Sequence, residues 1–141
     1  MNSLIPNSNI TYSQGNLRTQ QDSYGNNRIS LSTIAVSAGK WYVEHKISQH
    51  QDATHTGIVA ADSAYSVSNS LAQMENAYAY KNDGNVQEYD QSNIDTGEAT
   101  YTAGDIIGIA LDMDNNKLYF HKNGTYLNSG DPAGNSNGYS I

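Results

Sequence analysis

The 141-residue chain contains no cysteine, which removes disulfide staples and thiolate chemistry and leaves the redox compartment open. Basic residues are scarce: seven Lys and Arg stand against fourteen Asp and Glu, a formal net charge of −7. So thin a scatter of cations excludes a nucleic-acid backbone as partner and gives an anionic membrane surface little to attract. Long apolar runs are missing as well, so no segment reads as a membrane span. The opening MNSLIPNSNI has neither the charged nor the apolar region of a signal peptide. Charge of either sign is low, at 15% of residues.

In place of charge the chain has Asn, Ser, Gln, Thr, Gly and eleven Tyr. With regularly placed β-branched residues these suffice for a core, so the reading is a folded domain and not a disordered tract. The length suits one domain. Residues 1–16 read as a lead-in or linker and 17–141 as the domain. Leu17 to Gln21 and Arg28 to Leu31 read as short strands across a turn at Gly25-Asn26-Asn27. In Lys40 to Ile47, Trp41, Val43, His45 and Ile47 alternate with Tyr42, Glu44 and Lys46, the period of a half-buried strand. Trp41 is expected to face inward. Thr56 to Ala61 suits a central strand, and Ala77 to Lys81 turns at Asp83-Gly84 toward Val86. Ala64 to Glu75 is ambiguous between a loop and a helical turn. Ile106 to Leu111, a polar turn at Asp112 to Asn116, Lys117 to His121, and Asn123-Gly124 before Thr125 to Leu127 form the clearest stretch. The tail from Ser129 to Ser140 carries no period. Short strands, Gly/Asn turns and no convincing helix give an all-β, antiparallel sandwich.

The segments Gly39-Lys40-Trp41-Tyr42-Val43-Glu44, Gly57-Ile58-Val59-Ala60 and Tyr78-Ala79-Tyr80-Lys81-Asn82-Asp83-Gly84 stand in that order. Gly104 to Asp112 and Asn116 to Gly124 follow them. Together they resemble the SPRY domain family, a jelly-roll-like sandwich of two antiparallel sheets akin to the concanavalin A-like lectins and glucanases. The resemblance runs over roughly residues 17–130. It implies a non-catalytic binding module with no cofactor. Family members continue into further strands, so the resemblance also implies either that C-terminal strands are missing after Ile141 or that something else replaces them. The Asn-, Ser- and Tyr-rich style is similar to copies in bacteriophage structural proteins.

Asp112, Asp114 and Asn116 open like a calcium-binding EF-hand loop, but Lys117 stands where Gly is needed and Asn123 where Glu is needed. The segment reads as a polar hairpin turn in which Asp112 accepts backbone hydrogen bonds. His45, His50 and His55, with Asp52, lack any spacing that forces convergence on zinc. No phosphate loop or nucleophile elbow is present. Glu44, Glu75, Glu88 and Glu98 could in principle supply the carboxylate pair of a glycoside hydrolase, yet no pair shares a strand. Asn9-Ile10-Thr11 and Asn123-Gly124-Thr125 match the glycosylation sequon, the second being explained as a turn.

These readings predict no catalytic, metal or cofactor residues. The expected function is recognition or structure on a phage-like virion, binding a host-surface glycan or protein, or a neighbouring virion subunit, through loops. The alternatives are a cellular module that recognises a short peptide and a purely architectural spacer. Localisation follows: virion or extracellular surface, or cytoplasm for the peptide-binding alternative. Candidate ligand-binding residues are Tyr24, Tyr65, Tyr78, Tyr80, Asp83 and Tyr89, because aromatic rings with polar tips suit binding surfaces. Core packing competes for each, most strongly for Tyr78 and Tyr80.

Overall fold

A computed structural model of the chain describes residues 9–21, 28–49, 53–64 and 69–141. Among them are eleven strands, three short 3-10 turns and no α-helix. The strands are β1 (Ile10–Ser13), β2 (Arg18–Gln21), β3 (Lys40–Lys46), β4 (His55–Val59), β5 (Ala77–Lys81), β6 (Val86–Glu88), β7 (Ser92–Asp95), β8 (Ile106–Asp112), β9 (Lys117–Lys122), β10 (Thr125–Tyr126) and β11 (Tyr139–Ser140). Two antiparallel sheets make the sandwich. One runs β3-β8-β9, with β10 and β11 both on the far side of β9, and the other runs β4-β5-β6-β7.

The strongest element is the β8–β9 hairpin, and its turn shows why. Asp112 Oδ1 accepts the amides of Asp114 (3.2 Å) and Asn115 (3.1 Å), while Oδ2 takes the Asn115 carboxamide (2.8 Å) and the Lys40 ammonium (2.9 Å). The turn is thus closed by its own side chain, as its sequence predicts. Asn123 and Gly124 both adopt positive φ, the conformation that turns a tight hairpin into β10. Asn123 is also fastened: its oxygen accepts the Ile106 amide at 2.8 Å and its nitrogen donates to Asp105 at 2.7 Å. That occupies the sequon asparagine.

Alternation sends Ile107, Ile109, Leu118 and Phe120 between the sheets, where they meet Tyr80, Val86 and Tyr101. Tyr80 packs on Tyr101 and Phe120, with ring centroids 4.9 and 5.8 Å apart. Gly57 allows β4 to lie against β5, since a Cβ there would fall 1.9 Å from the Tyr78 carbonyl oxygen. A second, smaller cluster of Ile29, Met74 and Ala77 sits on the opposite face of the β4–β7 sheet.

Four expectations are corrected. β2 pairs with the upstream β1, not with a downstream strand, because Gln14, Gly15 and Asn16 all take positive φ and turn the chain there. Arg28 to Leu31 forms no strand, although Ile29 is buried. The aperiodic tail delivers Tyr139, which pairs opposite Leu118 and packs on Phe120 with centroids 6.2 Å apart. Trp41 is not buried: it is 49% exposed, on a strand that has a neighbour on one side only among the described residues.

Stability should follow that division. Phe120→Ala is expected to cost about 3–5 kcal/mol, the scale for a buried aromatic, and Trp41→Ala about 1–2 kcal/mol because half of its surface is already wet. Urea midpoints at unchanged slope would check the ranking, and equal losses would show that Trp41 is covered in solution.

Candidate functional site

Strand β3 lies at the edge of its sheet and pairs only with β8 among the described residues. At its ends, the Met113 amide donates to the Gly39 carbonyl (3.0 Å), the Ile47 amide to Asp105 (2.9 Å) and the Gly104 amide to the Ile47 carbonyl (2.7 Å). The direction of backbone groups alternates along an antiparallel ladder. Trp41, Val43 and His45 therefore turn their amides and carbonyls to β8, and Lys40, Tyr42, Glu44 and Lys46 turn theirs to the open edge.

The side chains divide by face. Trp41 and Val43 stand opposite Leu111 and Ile109 on the inner face, and Tyr42 and Glu44 stand opposite Ala110 and Gly108 on the outer face. Trp41, Tyr42 and Val43 are 49%, 56% and 46% exposed. Trp41 is oriented by its indole N–H, which donates to the Ala38 carbonyl at 2.8 Å. Further along the inner face, His45 Nδ1 meets the buried Thr56 hydroxyl at 2.6 Å and ties the two sheets together.

On the outer face a hydrogen-bond chain fixes Tyr42. The Gly124 amide donates to His121 Nδ1 at 3.1 Å. The neutral ring therefore carries its proton on Nε2, which donates to the Tyr42 oxygen at 2.6 Å. The phenol in turn donates to Glu44 at 2.6 Å. His121 lies flat over Gly108, where a Cβ would fall 1.9 Å from Nε2, and packs edge-on against Tyr126, centroids 5.2 Å apart. The hydrogen bond to Glu44 is the first cause pushing the Tyr42 phenol up to about 12, and burial lowers His121. Such a pair holds its protons in place. A phenol pushed upward is a poorer nucleophile and acid, the opposite of catalytic tuning.

Other polar clusters are committed internally. A shallow groove of about 360 Å³ is bordered by Glu98, Lys122, Asn123 and Tyr126. Lys122 there is held by the Thr100 carbonyl (2.7 Å) and Asp105 (3.2 Å), and Glu98 accepts the Asn128 amide (2.7 Å). Burial first, then the adjoining Asp95, push the Glu98 carboxyl up. Asp95 also accepts the Tyr139 hydroxyl at 2.7 Å. Carboxyls in hydrogen-bond contact leave no room for a sugar between them, which glycoside hydrolysis needs at separations of about 5–9.5 Å. No His, Asp or Glu cluster among the described residues could hold a metal ion.

The residues predicted from sequence do not converge. Tyr24 and Tyr65 lie outside the described residues, as do His50 and Asp52 of the histidine group. Tyr80 is fully buried and donates its hydroxyl to the Ala99 carbonyl, so it serves packing and not a binding surface, and Tyr78 is half-buried against the main core. Asp83 is exposed in its hairpin turn, where it takes the Asn85 amide at 3.2 Å and the Lys81 ammonium at 2.5 Å. Tyr89 is 51% exposed beside two residues of positive φ, Asp90 and Gln91. Trp41, Tyr42 and Val43 were not among the candidates, because period two reads the same in an edge strand as in a covered one.

The half-buried His45 and His55 and the buried His121 set a pH dependence. Burial is the first cause lowering His45, His55 and His121 from the ordinary 6.5. Below about pH 6.5 the unfolded chain binds more protons than the folded one, so stability is complete above that value and is lost as pH falls toward the lowered native values. The lowered carboxyls Asp83, Asp105 and Asp112 titrate below 3.8 and add their loss only at lower pH. The denaturation midpoint is therefore expected to drop between about pH 7 and 5, and to drop less in His45→Asn. A flat profile over that range would contradict burial of these rings.

The five sequence blocks, the two-sheet sandwich and the hairpin turns all fall inside or beside the segment recognised by a family model. No curated protein matches the chain. The SPRY domain model matches residues 40–130, well over half of the 141 residues. It takes in strands β3 to β10 and the whole sandwich core except Tyr139 and Ile141. Domains of this kind are in general protein-interaction modules without catalytic activity. The chain belongs to the SPRY domain family.

Proposed function

We propose that this SPRY domain is a protein-recognition module that captures an extended polypeptide strand along the open edge of β3. One observation carries the reading: three successive large side chains, Trp41, Tyr42 and Val43, are about half exposed on a strand whose outward backbone groups pair with nothing among the described residues. Strand addition supplies main-chain hydrogen bonds for affinity and alternating side-chain contacts for specificity. Trp and Tyr are the residue types that dominate such contacts, since they cover much area for little lost side-chain entropy. With a net charge of −7, polyanion attraction is a poor source of affinity. A second reading places a protein or glycan contact on the loop that carries Tyr89, favoured by that ring's exposure beside two positive-φ residues. The setting we propose is a phage-like virion or extracellular surface, supported by the low charge and the Asn-, Ser- and Tyr-rich composition.

Selection from a displayed library of random extended peptides tests the edge. Binders are expected to slow amide exchange at Lys40, Tyr42 and Glu44, and to weaken about tenfold or more in Trp41→Ala. Binders that protect residues 89–95 and ignore Trp41→Ala would move recognition to the Tyr89 loop.

A further inference from the structure

We propose that the edge of β3 pairs antiparallel with the same strand of a second copy of the chain, about a twofold axis at Tyr42. This rests on the reading of β3 as an open pairing edge and goes beyond it by naming the partner.

The sequence of the strand is self-complementary in that register. A twofold axis through Tyr42 sets Lys40 opposite the partner subunit's Glu44 and Glu44 opposite the partner subunit's Lys40. Trp41 falls opposite the partner subunit's Val43, and Tyr42 opposite the partner subunit's Tyr42. The backbone agrees. Lys40, Tyr42 and Glu44 are the positions whose amides and carbonyls face the open edge, so these three form the hydrogen-bonded pairs. Trp41 and Val43 then form the non-hydrogen-bonded pairs, in which side chains approach closest. The two half-exposed inner-face residues thereby cover one another.

The same accounting disfavours the neighbouring registers. An axis at Val43 sets Lys40 against Lys46, and an axis at Glu44 sets that carboxylate against its own copy. An axis at His45 does match Glu44 with Lys46, but it places Ile47, already buried, in the contact and leaves Trp41 facing Gln49. Only the Tyr42 axis satisfies both the charges and the exposed apolar residues. In it Lys40 sits between Asp112, 2.9 Å away, and the incoming Glu44, one ammonium facing two carboxylates. Glu44 meanwhile retains the Tyr42 hydroxyl at 2.6 Å.

Five residues of strand bury well under the roughly 800 Å² per partner of a stable interface. The association should therefore depend on concentration between about 1 µM and 1 mM. Sedimentation equilibrium of the 141-residue chain is expected to move from one chain mass, 15.3 kDa, toward twice that value. Lys40→Glu and Glu44→Lys are each expected to stay at one chain mass at concentrations where the parent protein is doubled. Their equimolar mixture should recover the doubled mass, because it again opposes unlike charges at both ends. Tyr42→Pro, which removes an outward amide, should abolish pairing, whereas Tyr42→Ala retains the amide and should keep it. Lys40→Glu puts a carboxylate beside Asp112, so circular dichroism is run on every variant; should that one unfold, Glu44→Lys and Tyr42→Pro carry the test alone. A single-chain mass up to about 1 mM overturns self-pairing and leaves strand capture to be judged by the peptide selection. A doubled mass unchanged by Glu44→Lys and by Tyr42→Pro overturns β3 as the contact.

Discussion

The pairing of β8 with β9 is the constraint on which the rest of the sandwich depends. Its two strands are covered on both faces. Ile107, Ile109, Leu118 and Phe120 fill the space between the sheets, while Tyr119 and His121 are buried on the other side. Its turn is closed by Asp112, and the same carboxylate holds Lys40 at the start of β3. Position and charge of the edge strand are thus set from within the hairpin. A buried carboxylate tied to two amides, a carboxamide and an ammonium is satisfied, so it adds register without leaving an unpaired charge.

Among the described residues, the outer face is buried without a second layer of structure. Gly108 lets the His121 ring lie directly on β8, and Gly138 lets the tail cross the ring of Tyr119. Tyr126 stands edge-on to both rings, at 5.2 and 6.4 Å between centroids. Edge-to-face packing places ring hydrogens against π-faces and keeps the hydroxyls at the rim. Tyr42 is the outermost member of this layer, half wet, and held by His121 and Glu44. Its ring is consequently pre-organised at the surface, which reduces the entropy that a contact must overcome.

The sequence made legible those features that are local. Period-two alternation and Asp/Asn/Gly turns identified β3, β4, β5, β8 and β9, and the short-range hydrogen bonding of Asp112 followed from its place before a polar turn. What could not be read depends on contacts between distant residues. Tyr80 and Tyr89 are both tyrosines beside turn-forming residues, yet the first lies beneath Phe120 and Tyr101 and the second is open to solvent. Tyr139 stands in Gly- and Asn-rich sequence with no period, and only the pairing with Leu118 turns it inward. Trp41 shows the converse: its alternation is that of a covered strand, and its exposure follows from β3 pairing only with β8 among the described residues.

A sheet edge invites pairing unless something blunts it, and the edges of this fold are blunted to different degrees. On the far side of β9 the sheet closes with two strands of two residues each, β10 and β11. Strand β7 is short, with Ser92, Asn93 and Asp95 among its four residues, and its pairing with β6 is broken by a register shift. Strand β4 has five residues, with Thr56 buried and the other four half-buried. Strand β3 has seven residues, no bulge and no proline. Its charges, Lys40, Glu44 and Lys46, all lie on one face with Tyr42, leaving Trp41 and Val43 on the other. Lysines on an edge usually guard against indiscriminate pairing. Here an opposite charge four positions from Lys40 turns that guard into a filter, favouring a strand that brings the inverse order of charges and rejecting most others.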